Sequence, residues 1–330
     1  MSLYSSARLL SWFRIVLLSA GLASGFAALA ADAATTPAAG AAPAAGVSPA
    51  PAPVRAVLVT GASTGIGRSI TEHLAADGYF VYAGARKDSD LAALNAIKNV
   101  QALRLDVTSA ADIAAAVQAV TKGGRGLYGL VNNAGVATVG SFAEMKDEEF
   151  DLVVEVNLYG PYRMTRALLP LIVAQQGRIT TIGSISGILA SKDLGAYSMS
   201  KHAMEAFTDS LAAQLAPAGV KVSIVEPGNY DSEIGKSASK RLGIGDTRIT
   251  DRSIYKKPDE VAAAVELALF EPNPKLRYMV VPNQHEAEIT IGKQISQLVQ
   301  LNERQPYTYD RAALIKMLDE ALASASGHQP

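Results

Sequence analysis

The chain has 330 residues, 49% of them hydrophobic, and 30 basic side chains against 31 acidic ones give a formal net charge of −1. That is enough for one large α/β domain or two small ones with a full core. The near-neutral balance gives no electrostatic case for a nucleic-acid partner. The lack of cysteine excludes disulfides, thiolate catalysis and thiolate metal sites.

The first fifty residues stand apart. Arg8 and Arg14 precede an apolar run, Ile15 to Ala31, that closes on Ala28-Leu29-Ala30. A basic start, an apolar middle and an Ala-x-Ala-like end are the layout of a secretory signal. The seventeen-residue run is also just long enough to stay in a bilayer as a membrane tether. No basic residue follows until Arg55, so the expectation is an exported body, periplasmic or membrane-anchored. The alternative is a cytoplasmic protein with a mis-called start. Asp32 to Pro53 is almost entirely Ala, Pro, Gly and Thr and reads as a flexible linker without a core. The expected division is therefore 1–31 signal or anchor, 32–53 linker, 54–284 catalytic domain and 285–330 helical extension.

From Val54 the pattern becomes regular. Val54 to Thr60 predicts a strand, followed by a helix from about Gly67 to Ala76. Tyr79 to Ala83 is the next strand, Leu91 to Lys98 the next helix, and Ala102 to Leu105, closed by Asp106, the third strand. An alanine-rich helix, Ala110 to Thr121, starts behind Thr108 and Ser109 as candidate caps. Leu127 to Val131 is a fourth strand. Two long helical stretches, Asp147 to Ala174 (Pro161 near its middle) and Tyr197 to Ala216, flank a strand at Arg178 to Ile182. Val220 to Val225 and Tyr278 to Val281 complete seven strands, with Asn229 to Tyr255 expected as a loop over the substrate. Beyond Pro282, Glu286 to Asn302 and Tyr309 to Ala323 read as helices packed on the domain edge. Strands alternating with helices predict parallel β-α-β units in a doubly wound sheet.

Gly61, Gly65 and Gly67 follow the first strand and open the first helix. The first permits a tight turn, the second lets a pyrophosphate approach the backbone, and the third lets helix and strand pack closely. The same residues, Gly61-Ala62-Ser63-Thr64-Gly65, also match a serine-hydrolase nucleophile elbow, with His202 or His285 as base. That reading leaves Gly67 without a role. About twenty residues on, where a dinucleotide site meets the adenosine ribose, the chain has Ala85-Arg86-Lys87 in place of an acid. A guanidinium suits a 2′-phosphate, which favours NADP(H) over NAD(H). Asp106 either accepts from the adenine amine or caps the next helix. The four histidines show no metal-ligand spacing and no metal is expected; His73 and His202 read as surface or packing residues.

Tyr197 and Lys201, four apart in a helical stretch, share one face. A free tyrosine titrates near 10, and a neighbouring ammonium with a cationic nicotinamide would favour its phenolate. Bringing it to neutrality requires about 4 kcal/mol of differential stabilisation. Spacing alone would leave this pair an ordinary solvated helix face. Its company changes that: Ser184 in Gly183-Ser184-Ile185-Ser186-Gly187, Asn132-Asn133-Ala134-Gly135 after the fourth strand, Asn157 in the next helix, and Pro227-Gly228 after the sixth strand.

Together with the glycine turn, these motifs resemble the short-chain dehydrogenase/reductase family from about Val54 to Asn283. The resemblance implies a three-layer Rossmann fold with seven parallel strands and hydride transfer between a nicotinamide and a carbonyl or alcohol. It implies Tyr197 as general acid/base, Ser184 as hydrogen-bond donor to the reacting oxygen, and Lys201 as the group that tunes Tyr197 and holds the nicotinamide ribose. Asn157 would support a relay water. The nucleotide would lie along Gly61, Ser63, Thr64, Gly65, Ile66 and Gly67, with Arg86 and Asp106 at the adenosine. Asn133, Ala134 and Gly135 would stand beside it, and Pro227, Gly228 and Ser232 near the carboxamide. Ser232 takes a place where the family often has threonine. Segments such as Ser200-Lys201-His202-Ala203-Met204-Glu205-Ala206-Phe207 resemble retinol and hydroxysteroid dehydrogenases, which implies an apolar substrate. Family members pair through long helices, so a homodimer or homotetramer is expected through 147–174 and 197–216. A non-catalytic dinucleotide scaffold is the remaining alternative.

Overall fold

The computed structural model describes residues 54–243 and 254–326. The expected signal, tether and linker lie outside the described residues, as does part of the loop expected to cover the substrate. Among the described residues no helix is long and apolar enough to cross a membrane.

Seven parallel strands form one sheet: β1 (Ala56–Val59), β2 (Phe80–Ala85), β3 (Val100–Arg104), β4 (Gly129–Asn132), β5 (Arg178–Ile182), β6 (Lys221–Pro227) and β7 (Arg277–Val280). Their order is β3-β2-β1-β4-β5-β6-β7. Order reverses between β1 and β4, which pair through Val57–Gly129 and Val59–Val131. A crevice therefore opens at the carboxyl ends of these two strands, where open α/β sheets bind ligands. Every residue of β1 and β4 is buried, as expected for a parallel sheet covered on both faces.

One core cluster lies on each face. Val57, Val59, Ile70, Leu74, Val81, Val265 and Leu269 belong to the first. Leu58, Leu130, Met164, Leu168, Ile172 and Ile179 belong to the second. The covering helices are α1 (Gly65–Ala76), α2 (Asp88–Asn95), α3 (Ala110–Lys122), α4 (Asp147–Val154), α5 (Gly160–Ala174) and α6 (Gly195–Leu215). Of the two cap candidates for α3, Ser109 does the work, accepting from the Asp112 amide at 3.2 Å.

Three sequence expectations change. The stretch 147–174 is not one helix: a π turn, Glu155–Tyr159, separates α4 from α5. Pro161 sits in the first turn of α5, directly after the π turn. Two helices went unpredicted, α7 (Ile234–Leu242), inside the expected loop, and α8 (Asp259–Phe270). The apolar residues of α8 surround it almost evenly, which blurs the helical period, yet it packs on α1 and supplies Val261, Ala262, Val265 and Leu269 to the core. His73 ties the same two helices from outside, its Nε2 2.8 Å from Glu266. The extension is also less docked than expected. Of α9 (Gln284–Asn302) only Glu286 and Thr290 are buried, and α10 (Arg311–Ser326) has no buried residue among its described side chains.

Leu269 is completely buried and joins α8 to the sheet. Leu269→Ala should cost about 2–5 kcal/mol of unfolding free energy, read from denaturant midpoints at constant slope. An unchanged midpoint would mean that α8 is not part of the cooperative core.

Candidate active site

The glycine turn is built around a clasp between β1 and β4. Thr60 Oγ1 accepts from the Asn133 and Ala134 amides, both at 3.0 Å. Asn133 Nδ2 donates to the Thr60 and Gly61 carbonyls at 2.9 and 3.0 Å. Gly61 has φ +65°, and a Cβ on it would come to 2.9 Å from Ala134 Cα. A Cβ on Gly67 would overlap Asn133 Nδ2 and the Gly61 carbonyl. Gly65 backs onto Ser232, which brings the predicted carboxamide residue over the turn.

These residues fit a nucleotide. Thr64, in extended backbone at the N-cap of α1, caps nothing with its side chain, and the first turn of α1 has no acid. The helix N-terminus therefore keeps its amide donors and partial positive charge for a pyrophosphate. Ser63 and Ile66 are half-buried along the same turn.

At the adenosine end, Arg86 follows β2 directly, with a 69% exposed side chain 3.7 Å from Asp106. Asp106 accepts from the Thr108 amide at 2.9 Å and its hydroxyl at 2.7 Å. Burial resists ionisation of Asp106, but the Thr108 bonds and the Arg86 charge outweigh it and hold the carboxyl below its usual range. Arg104, which the sequence reading missed, braces this corner by donating to the Arg86 carbonyl at 2.7 Å and pairing with Asp88.

At the other end of the crevice α6 presents Tyr197 and Lys201 from adjacent turns. Lys201 is buried; its Nζ donates to the Ile182 carbonyl at 2.7 Å and lies 5.6 Å from the Tyr197 ring centre. Burial pushes this ammonium down to about 8 against the opposing pull of Glu205, so it stays charged at neutral pH. Ser184 follows β5 in extended backbone. Its Oγ accepts from the Ser186 amide at 3.0 Å, which orients the hydroxyl and leaves its proton available for donation.

Asn157 occupies the π turn, a frequent feature of functional sites. Its side chain accepts from the Val136 amide at 2.8 Å and donates to the Val136 carbonyl at 2.9 Å and Ser200 Oγ at 3.0 Å. Both amide hydrogens are thus spent joining the loop after β4 to α6. Gly135 lies beside this side chain.

Other contributors had no local signal. Arg241, in α7, makes a forked pair with Glu149 at 2.8 and 2.9 Å and donates to the Ala137 carbonyl at 2.6 Å. Those Arg241 bonds hold the Glu149 carboxyl below its usual range. Glu286, at the start of α9, accepts from the Asn229 amide at 2.8 Å and fills the space a side chain on Gly228 would need. It thereby fixes the turn that Pro227 and Gly228 begin. Pairs so distant in sequence are created only by the fold.

Residues 55–243 match the short chain dehydrogenase family. The chain belongs to that family, and it spans a little over half the length of the first curated relatives it matches. It is 36% identical over 198 residues to the mitochondrial D-beta-hydroxybutyrate dehydrogenase of Rattus norvegicus, covering 57% of this chain and 58% of that enzyme. It is 34% identical over 253 residues to an NADPH-dependent 3-dehydrocapnine reductase of Ornithobacterium rhinotracheale, covering 70% of this chain and 89% of the reductase. Among solved structures, a short-chain dehydrogenase from Streptomyces avermitilis aligns with TM-score 0.65 and 33% identity, covering 76% of this chain and 95% of that one.

Gly67→Ala should force the clasp apart. We expect destabilisation of about 1–3 kcal/mol from overpacking and a rise of about tenfold or more in the Kd for NADPH, some 1.4 kcal/mol. Thermal unfolding with and without NADPH reads both, and an unaltered Kd would mean that the nucleotide does not use this turn.

Proposed function

We propose that this short-chain dehydrogenase/reductase interconverts an apolar carbonyl and its alcohol with NADP(H), using Tyr197 as the general acid/base. The observation that carries the reading is the buried Lys201 ammonium beside the Tyr197 ring, anchored on the Ile182 carbonyl at 2.7 Å. In a site of low polarity such a charge favours the phenolate far more strongly than it would in water.

The nicotinamide, when bound, supplies or takes the hydride. In reduction, the Tyr197 hydroxyl gives its proton to the oxygen of the former carbonyl while the Ser184 hydroxyl donates a hydrogen bond to that oxygen. In oxidation Tyr197 takes the proton back. Lys201 stabilises the Tyr197 phenolate in both directions and holds the nicotinamide ribose. With both Asn157 amide hydrogens committed, a relay water would rest on one of its acceptors.

Arg86 supports the preference for NADP(H), because its exposed guanidinium stands at the end of β2, where a 2′-phosphate would lie. Phe142 supports an apolar substrate. It is 62% exposed and lies against Gly195, two residues before Tyr197. Several charges of the covering segment are drawn into pairs, Arg241 with Glu149, Lys236 with Glu233 and Asp231 with Lys257. Exposed Tyr159 and Tyr162, around the start of α5, and Met199, on α6, support pairing of copies through these helices.

A hydrolase built on Ser63 is not favoured. His202 Nδ1 is held by the Ser198 carbonyl at 2.8 Å, and His285, the other candidate base, is exposed at the start of α9. A purely nucleotide-binding scaffold would have no use for Ser184, Tyr197 and Lys201 together.

Tyr197→Phe should lower kcat by about 10²–10⁴-fold in NADPH-dependent reduction of a carbonyl panel while leaving the Kd for NADPH within error. Retained turnover would overturn the role given to Tyr197. Arg86→Asp should raise the KM for NADPH and move preference toward NADH in the same assay. An unchanged ratio of the two kcat/KM values would show that Arg86 does not read the phosphate.

A further inference from the structure

One turn beyond Lys201, on the same helix, the half-buried Glu205 stands with a second, fully buried carboxyl, Glu226, near the end of β6. Arg277, the first residue of β7, is their cation, with Nε 3.2 Å from Glu205 Oε2 and 3.8 Å from Glu226 Oε1. Its guanidinium is also claimed by Asp209, 2.7 Å from Nη2. Three acids therefore share one arginine. The neighbouring cation, Lys201, donates to Ile182 and not to either glutamate. Oε1 of Glu205 and Oε1 of Glu226 are both buried, and neither has a hydrogen-bond partner in the structure. Two ionised carboxylates in this position would be an unpaired buried charge, which a protein avoids by keeping a proton.

The place of the pair in the fold gives it consequence. A Cβ on Gly187 would come to 2.8 Å from Glu205 Oε1, and one on Gly183 to 3.4 Å. The Glu205 carboxyl therefore lies against the backbone on both sides of Ser184. Glu226 directly precedes Pro227 and Gly228.

We propose that Glu205 and Glu226 share one proton as a carboxyl–carboxylate clamp, locked by Arg277, that positions the Ser184 turn and the Pro227-Gly228 turn against the helix carrying Tyr197 and Lys201. The pair consists of positioning residues, and its effect on turnover rests on the reading of Ser184, Tyr197 and Lys201 given above. Burial and the neighbouring Glu226 push Glu205 up to about 8, and burial also raises Glu226. For a carboxyl whose folded value is raised, the stabilising effect is complete below its unfolded value near 4.5 and is lost as pH rises through the folded one. The clamp should accordingly loosen as pH passes about 8. Lys201 titrates in the same range, so the test has to see carboxyl protons specifically.

Infrared spectra of the full-length protein from pH 6 to 9 do so without turnover. The wild type should show a carboxylic-acid carbonyl band at pH 6–7 that fades by pH 9, and Glu205→Gln and Glu226→Gln should each lack it. Its absence from the wild type, or its persistence in both variants, would overturn the clamp. Kinetics on the best carbonyl of the panel then test positioning. Glu205→Ala should lower kcat on the order of tenfold to a hundredfold with little change in the KM for NADPH. Glu205→Gln, which keeps a neutral partner for Glu226, should restore the rate at pH 7 and move the alkaline fall of kcat to higher pH. If Glu205→Ala does not fold, the two isosteric glutamine variants decide the question. A glutamine variant with the wild-type pH profile would overturn the positioning role. The infrared result stands whether or not Tyr197→Phe is inactive, so failure of the clamp and failure of the catalytic reading are separable.

Discussion

Where β1 and β4 diverge, their hydrogen-bonded ladder ends and side chains replace it. The Asn133 amide and the Thr60 hydroxyl make four bonds across the gap, and they set the width of the crevice that a nucleotide would enter. The glycines on either side are shaped to this clasp. Gly61 turns into left-handed backbone directly over Ala134, and Gly67 leaves no room for anything but the Asn133 amide. The N-terminus of α1 owes its position to the same bonds, since α1 starts from that turn. Other parts of the site are hung from the frame this clasp sets, each by one or two polar contacts.

The catalytic helix illustrates the balance. In the proposed role Lys201 acts on Tyr197 more strongly for being buried, yet burial works against its own charge. The structure offsets this with the Ile182 carbonyl as acceptor and with the single negative charge that the Glu205–Glu226 pair retains one turn below. Asn157 performs a similar service in the next layer. It spends its amide on Val136 and Ser200, joining the strand-end loop to α6 at the one place where the helix before α5 widens into a π turn.

The covering elements reach the site through long-range pairs. Arg241 carries α7 onto the loop after β4 through Glu149 and Ala137, and Glu286 carries the start of the extension onto the turn after β6. Both use charged groups that a reading of the segments alone would assign to solvent. Each is held by a partner more than 50 residues away, and the pairing lowers the cost of placing charge there.

The sequence by itself determined the architecture and the family, and it named the candidate site residues. Alternation of apolar runs with helical stretches specified seven parallel strands, and glycine spacing marked the turn after β1. Ser184, Tyr197 and Lys201 were legible because their motifs stand beside strands and within one helical turn, where period and order are local properties. The tertiary structure alone decided what lies between elements. Helix α8 was hidden because an almost uniformly apolar helix has no amphipathic period, so its identity depends on burial against α1. The π turn at Asn157 was invisible for a related reason, since one extra residue in a helical turn leaves the apolar pattern nearly intact. Glu205, Glu226 and Arg277 look like three unrelated surface charges until β6, β7 and α6 are packed together. Charge pairing across a sheet is set by distance in space, and a linear pattern carries no measure of that distance.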